Sequence, residues 1–236
     1  MINKRISGSL LLLPIAFWML SSCTTISYTP KVTLDVSPRT IEKTVQLEKL
    51  NDKTPIDDRI NPFFGLSVTN DESLTGGLDI EVTNAIVSDF STNAVFDNIS
   101  RRESNPDFII RGEITKFYGK SEMNTFGKVS WGLAMAALII APITEEPAVL
   151  LGAVPLLTWY LGVPISKNTT EISITLKIYN PDNELIGTYQ GVAQEGIQTD
   201  IYKNKAFAVP SLTNKNFSNA IQQIRDQIMR DYDKFY

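Results

Sequence analysis

Apolar residues recur along residues 45–236 with two different periods, and the period of each segment indicates whether it forms a helix or a strand. Two segments carry an apolar residue at about every fourth position, which is the spacing of one helix face. The first contains Leu74, Leu78, Val82, Ile86 and Phe90, and the second contains Phe217, Ile221, Ile224, Ile228 and Tyr232. We therefore predict two amphipathic helices, the second of which ends the chain.

The polar residues of these two segments complete the helix predictions. Ser73 or Thr75 is suited to cap the first helix, because a side-chain oxygen there accepts a free backbone N–H. The apolar face of the second helix leaves Arg225, Asp226 and Arg230 directed toward solvent.

Alternation of apolar and polar residues predicts the strands, because successive side chains of a strand point to opposite faces. The clearest run, from Ile172 to Tyr179, is followed by the turn residues Asn180-Pro181-Asp182-Asn183 and a returning strand from Leu185 to Val192. Another run extends from Phe108 to Thr115. Shorter strands are predicted at residues 45–50, at residues 94–99 and, within a polar segment, at residues 32–36.

The order of these elements predicts the fold class. A strand, a helix, two strands, an insertion, two strands and a helix follow one another along the chain. The sequence therefore predicts an α+β domain, with a mixed β-sheet, two helices packed on one face of the sheet and an apolar helical insertion.

The insertion, residues 125–167, interrupts the alternating pattern with two almost wholly apolar stretches. Glu145 and Glu146 carry the only charges between Lys128 and Lys167. Three interpretations are open: a helical hairpin that covers the domain's own sheet, a hairpin that dips into a membrane, or a surface for oligomerisation or a partner. A pair of transmembrane helices is disfavoured, because a span needs about 20 apolar residues.

In the second and third interpretations, large apolar side chains of the insertion make the contact. The predicted contact residues are Trp131, Leu138, Ile139, Leu150, Leu151, Leu156, Trp159 and Tyr160. In the membrane interpretation, Leu133, Ile140 and Leu157 enter lipid as well.

The N-terminus has the pattern of a signal peptide. Lys4 and Arg5 precede an apolar run from Leu10 to Leu20, and small residues follow it. The tetrapeptide Leu20-Ser21-Ser22-Cys23 resembles the bacterial lipobox. That resemblance implies removal of residues 1–22 and lipidation of Cys23. Loop-forming residues predict a lipidated tether over residues 23–44, and the length of the remaining chain predicts a single domain over residues 45–236.

The residue after the cysteine bears on the membrane. In the lipoproteins that this N-terminus resembles, Asp at that position retains the protein in the inner membrane, and here the residue is Thr24. The resemblance therefore implies an outer-membrane lipoprotein that faces the periplasm, with the inner membrane as the alternative.

Composition narrows the chemistry. The chain has 22 Lys and Arg against 26 Asp and Glu, so no excess of basic residues favours a nucleic-acid partner. It has no histidine and one cysteine, which excludes Ser-His-Asp and Cys-His sites and zinc sites built on these ligands. We predict no catalytic residue, no cofactor and no metal. Carboxylate-based sites remain formally open, although Asp182 and Glu184 fit a turn better than a calcium loop.

Three stretches resemble a group of bacterial envelope lipoproteins. They are Val45 to Thr54, Phe96 with Pro106-Asp107-Phe108-Ile109-Ile110-Arg111-Gly112-Glu113-Ile114, and Ile174 to Gly187. The group includes curli-secretion channel lipoproteins, auxiliary lipoproteins of lipid-transport ABC systems and activators of peptidoglycan synthases. This chain has Pro106 where that group usually has Ala.

The resemblance implies a non-catalytic accessory or adaptor protein of a cell-envelope complex, with a homo-oligomer as an open alternative. Two other functions remain alternatives. One is a membrane-inserted subunit of a secretion or transport assembly, and the other is a carboxylate-dependent glycan hydrolase.

Overall fold

The computed structural model describes residues 31, 33–55, 65–69, 77–144, 147–202 and 205–236. The strands are β1 Ile41–Leu47, β2 Asn51–Asp52, β3 Gly65–Thr69, β4 Phe96–Ser100, β5 Phe108–Met123, β6 Ser166–Tyr179 and β7 Leu185–Thr199. The helices are α1 Leu78–Thr92, α2 Thr125–Thr144, α3 Leu157–Tyr160 and α4 Lys205–Arg230, with 3-10 helices at Pro147–Leu156 and Tyr232–Phe235.

The strands form one mixed sheet in the order β4-β1-β5-β6-β7. β1 runs parallel to both β4 and β5, whereas β5, β6 and β7 are joined antiparallel. The short strands β2 and β3 also pair with β5. The predicted α+β class is confirmed. The predicted elements follow one another in the predicted order, and the structure adds β2 and β3 before α1.

Helices α1 and α4 share one core with one face of the sheet. The predicted apolar positions Val82, Ile86 and Phe90 of α1 are fully buried. Phe117 of β5 meets Phe217 of α4 edge to face, with ring centroids 6.0 Å apart. The stripes predicted from the four-residue spacing therefore face the sheet. Ser73, Leu74 and Thr75, at the predicted start of the first helix, lie outside the described residues.

β5, β6 and β7 are longer than the alternation of hydrophobicity predicts. Alternate residues continue to point into the interior beyond the apolar part, but they are polar. The buried polar residues of these extensions are Ser121, Ser166, Asn168, Thr170 and Thr199. Because these side chains are small and polar, the hydrophobic period ends before the strands do. The hairpin turn at Asn180–Asn183 is as predicted, and Asn183 has the left-handed conformation, with φ 64°.

Two glutamines of α4 cover the outer edge of β7. The side-chain amide of Gln227 donates to the Gln190 carbonyl at 2.7 Å and accepts the Gln190 N–H at 3.0 Å. Gln223 makes the same pair with Val192, at 3.0 and 3.1 Å. Each amide therefore replaces one peptide unit of a neighbouring strand, which limits pairing at this edge.

The segment before β1 differs from its prediction in two respects. β1 begins at Ile41, inside the range predicted as tether, and the described residues between 31 and 38 form no strand. This segment instead contacts the outer side of α4. Arg225, predicted to point to solvent, is only 6% exposed, because the segment passes over it.

No helix in the described part of the chain is both long enough and apolar enough to cross a membrane.

Candidate functional site: an exposed apolar hairpin

The insertion forms a helical hairpin between β5 and β6, called here the apolar hairpin (residues 125–165). Its first limb is α2, and its second limb is the 3-10 helix Pro147–Leu156 with α3. The prediction of a helical insertion is confirmed. The described residues of the hairpin contribute nothing to the hydrophobic cluster beneath α1 and α4. The interpretation of the insertion as a cover for the sheet is therefore wrong, because the limbs pack on each other.

Asn124 holds the base of the hairpin together. Its side-chain oxygen accepts the Gly127 N–H at 2.8 Å and so caps α2. Its side-chain amide donates to the Pro164 carbonyl at 2.8 Å, and its backbone N–H donates to the Ile165 carbonyl at 2.9 Å. A β-carbon at Gly127 would lie 2.6 Å from the Ile165 oxygen, so only glycine allows this approach. The base is therefore a fixed junction.

Small residues form the contact between the two limbs. Ser130, Ala134 and Ala137 lie on one face of α2 and are buried. A β-carbon at Gly152 would lie 3.1 Å from that of Ala137, which shows how close the limbs are. Trp159 adds a hydrogen bond of 2.9 Å from its indole nitrogen to the Ser130 hydroxyl. The small side chains are therefore inside the hairpin.

Large apolar side chains lie on the outside of both limbs. On α2, Phe126, Val129, Leu133 and Ile140 follow the three- and four-residue spacing of one helix face. On the second limb, exposed residues recur at every third position, and three residues make one turn of a 3-10 helix. They are Leu151, Val154 and Leu157, which are 69%, 48% and 61% exposed. Each limb thus presents an apolar row.

The predicted contact residues occupy different environments. Ile139, Leu151 and Tyr160 are exposed, and Leu156 is half-buried. Trp131 and Trp159 stack on each other, with ring centroids 6.3 Å apart and planes 23° apart, and both are half-buried. The remaining predicted site residues lie outside what the structure describes: the residue Cys23, and the side chains of Leu138 and Leu150.

Four further exposed apolar residues were not among the predicted contacts. They are Phe126, Val129, Val154 and Leu161. The signal for the first three was the spacing itself, since each continues a row with the period of its own helix. Leu161 precedes Gly162, whose φ of 77° makes the turn that ends α3.

The segment leading toward Cys23 lies against α4. The backbone N–H of Lys31 donates to the Asn214 side chain at 3.0 Å, and Thr33 donates to Ser218 at 2.9 Å. Arg225 donates to the carbonyl of Asp35 at 2.9 Å. From Asp35 back to Lys31, the chain therefore runs toward the N-terminus of α4.

A buried arginine joins this segment to both helices. The Arg225 guanidinium contacts the Asp35 carboxylate at 3.2 Å and that of Asp89 in α1 at 3.4 Å. Burial raises the pKa of Asp89, and the neighbouring Arg225 charge and a hydrogen bond with Asn93 partly offset that effect. Asn93 also holds Asp35, whose N–H it accepts at 2.6 Å. The segment is thus attached by its backbone and by charge.

The opposite, open face of the sheet carries ion pairs. Glu113 pairs with Lys53 at 2.7 Å, and the hydrogen bond from Lys53 holds the pKa of Glu113 below its ordinary value. Glu48 pairs with Arg111 at 3.1 Å. A general acid needs a raised pKa, so the lowered pKa of Glu113 does not suit that role.

Comparison with known proteins gives a fold likeness at most. No family model and no curated protein matches the chain. A solved Xanthomonas campestris protein, assigned to a family of unknown function, aligns over 89% of this chain and 98% of its own length, with 7% identity and a TM-score of 0.48. A candidate lipoprotein of Caulobacter crescentus aligns over 56% and 73%, with 7% identity and a TM-score of 0.30.

A dodecamer of a PelC variant from Paraburkholderia phytofirmans aligns over 79% of this chain and 93% of its own, with 9% identity and a TM-score of 0.30. The class of this chain rests on its own structure: it is an α+β domain with an exposed helical insertion.

Proposed function

We propose that this chain is a lipid-anchored, non-enzymatic accessory protein of the bacterial cell envelope. The observation that carries the proposal is the exposed apolar hairpin, in a chain whose single cysteine follows Leu20-Ser21-Ser22. A lipidated Cys23 keeps the domain at a membrane, and the hairpin provides a contact surface there. The exposed apolar side chains of the hairpin are thus suited to contact a membrane or a partner protein.

The adaptor role is supported by how the domain uses its charged residues. The carboxylates described above on the open face are paired with cations, and the buried Asp89 faces Arg225. In this proposal these groups hold the domain together, and the complex that it serves belongs to transport, secretion or envelope assembly.

Membrane fractionation tests the anchor. In the proposal, the wild-type protein sediments with the outer membrane, and globomycin, an inhibitor of lipoprotein signal peptidase, causes the larger precursor to accumulate. Cys23→Ala abolishes lipid labelling. The matched variant Thr24→Asp keeps the lipid and moves the protein to the inner membrane. An unchanged mature form in Cys23→Ala cells would overturn the proposal.

Crosslinking in native membranes tests the accessory role. We expect one defined envelope partner to be crosslinked to the wild-type protein and to lose its function when this chain is deleted. A protein that is lipidated but has no effect on any envelope process would contradict that role.

A further inference from the structure

We propose that the apolar hairpin contacts the phospholipid bilayer in which Cys23 is anchored, so that the mature protein touches the membrane at two places. The inference rests on the proposed lipid anchor and adds the partner of the hairpin. The apolar hairpin leaves the domain at one end, called here the hairpin end, where Met123, Ser166 and Thr199 adjoin in neighbouring strands.

The direction of the chain before β1 is the first argument. α4 runs antiparallel to β7, because Gln227 bonds Gln190 whereas Lys215 pairs with Glu195, which is nearer the hairpin end. The segment before β1 reaches Asn214 with Lys31 as it runs back toward Cys23. It is therefore heading for the hairpin end.

The reach of the remaining chain is the second argument. Lys31 lies near the level of Glu195, and four residues of β7 separate that level from Thr199, which corresponds to about 14 Å. The chain from Cys23 to Lys31 has eight residue-to-residue steps and spans up to about 28 Å when extended. The anchor can therefore reach the plane of the hairpin base.

The composition of the hairpin is the third argument, and it favours lipid over water. Its exposed rows are Leu, Ile, Val and Phe, with Tyr160 and Leu161 67% and 81% exposed near the base. Tyr202, also exposed, donates a hydrogen bond to the Tyr160 carbonyl. Tyrosine at the base suits the interface between headgroups and acyl chains.

Charge limits the depth of the contact. Glu145 and Glu146 lie between the two limbs in the sequence, and burying ionised carboxylates in hydrocarbon is unfavourable. The contact that we propose is therefore shallow, with the apolar rows among the outer acyl segments.

Tryptophan fluorescence tests the contact in the mature lipidated protein. The chain has three tryptophans, and removal of residues 1–22 takes away Trp18, so the remaining two, Trp131 and Trp159, both lie in the hairpin. The protein is reconstituted in vesicles of phosphatidylethanolamine and phosphatidylglycerol, with or without brominated acyl chains. We expect brominated lipid to quench the emission about twofold or more, and vesicles to protect it from acrylamide.

Two variants make the test specific. Leu151→Ser with Leu157→Ser removes two exposed leucines from the second row, and we expect it to abolish most of the bromolipid quenching. The matched control, Leu185→Ser, removes an exposed leucine next to the β6–β7 turn. We expect brominated lipid to quench the tryptophan emission of this control as strongly as that of the wild type. Circular dichroism of both variants reports whether the fold is retained.

The outcomes separate the two proposals. Emission that acrylamide quenches equally with and without vesicles would overturn the lipid contact while leaving the anchor intact. Protection from both quenchers, with a crosslinked oligomer or a bound protein, would also overturn it and assign the hairpin to a second copy or to that partner. The absence of lipid at Cys23 would instead overturn the proposed function, because the protein would then have no lipid anchor.

Discussion

At the residue scale, Arg225 shows how one buried cation joins parts of the chain that are far apart in sequence. Its position in the periodic pattern of α4 predicts an exposed side chain, and the structure buries it between Asp89 and Asp35. The pattern could not reveal this, because the segment that covers the helix contributes polar backbone and no apolar period. Hydrophobic periodicity therefore predicts which face of a helix packs on the core, but it does not predict that another segment covers the opposite face.

The first prediction concerns the loss of this cation. We expect Arg225→Met to lower the free energy of unfolding by about 3 kcal/mol, because it leaves the buried Asp89 carboxylate without its partner. Arg230→Met, on the exposed side of α4, is the control and should change it by less than about 0.5 kcal/mol. Urea unfolding measures both. Equal effects of the two variants would show that Arg225 does not hold the segment.

The second prediction uses the raised pKa of Asp89. A carboxyl group whose pKa is higher in the folded state binds its proton more tightly there, so its contribution to stability is lost as pH rises above 3.8 toward the raised value. Relative to Asp89→Asn, the wild type should therefore lose stability across that window. Unfolding curves at several pH values measure the free energy of unfolding of both proteins, and a wild type that gains stability relative to Asp89→Asn as pH rises would contradict the assignment.

The third prediction compares two glycines. A β-carbon at Gly191 would overlap the Ala220 carbonyl of α4, so Gly191→Ala should destabilise the domain by about 2 kcal/mol. Nothing lies within 4 Å of a β-carbon at Gly132 in α2, where alanine should be neutral or stabilising by up to about 1 kcal/mol. Thermal unfolding measures both. The same loss in both variants would argue against close contact between β7 and α4.

At the scale of elements, hydrophobic periodicity predicts the helices of the apolar hairpin but does not predict how the hairpin packs. Each limb has its apolar rows at the period of its own helix, which is a sequence property. The choice between covering the sheet and projecting from it depends on the small buried residues and on the Asn124 junction. Those residues carry little hydrophobic signal, so three interpretations remained open before the structure.

The lengths of β5, β6 and β7 have a similar explanation. Hydrophobic alternation predicts the half of each strand that packs under α4 with aliphatic side chains, whereas the other half is recognisable only by its hydrogen-bonded register. Buried Asn168 and Thr199 bond each other at 3.2 Å. Buried polar residues of this kind give no apolar periodicity, so the sequence pattern does not predict these ends of the strands.

The fourth prediction tests the contact between the limbs. Ala134→Leu places a large side chain in the buried contact and should destabilise the hairpin by about 1–3 kcal/mol. Ala136→Leu, on the exposed side of the same helix, is the matched control and should have little effect. Hydrogen exchange of the α2 amides measures this local stability. Faster exchange in both variants, or in neither, would contradict the packing described here.

At the scale of the whole molecule, the described part of the segment before β1 points toward the end of the domain that carries the apolar hairpin. It runs along α4 toward that end. The segment does not cover the open face of the sheet, and the β6–β7 turn lies at the opposite end of the strands. An anchored domain held in this way would have a defined orientation. Its charged open face would then be available to an envelope partner.

The fifth prediction, on the reactivity of one introduced cysteine, tests this orientation most directly. Lipidation consumes the Cys23 thiol, so Leu161→Cys and Leu185→Cys each carry a single reactive thiol. The reference is the same Leu161→Cys variant with Cys23→Ala, which carries no lipid and is labelled in buffer without vesicles or detergent. We expect a water-soluble maleimide to react with the lipidated Leu161→Cys protein in vesicles at least about tenfold more slowly than with this reference. The rate for Leu185→Cys should be unchanged by vesicles. Equal, fast labelling at both positions in vesicles would contradict a domain that faces the membrane with its hairpin end.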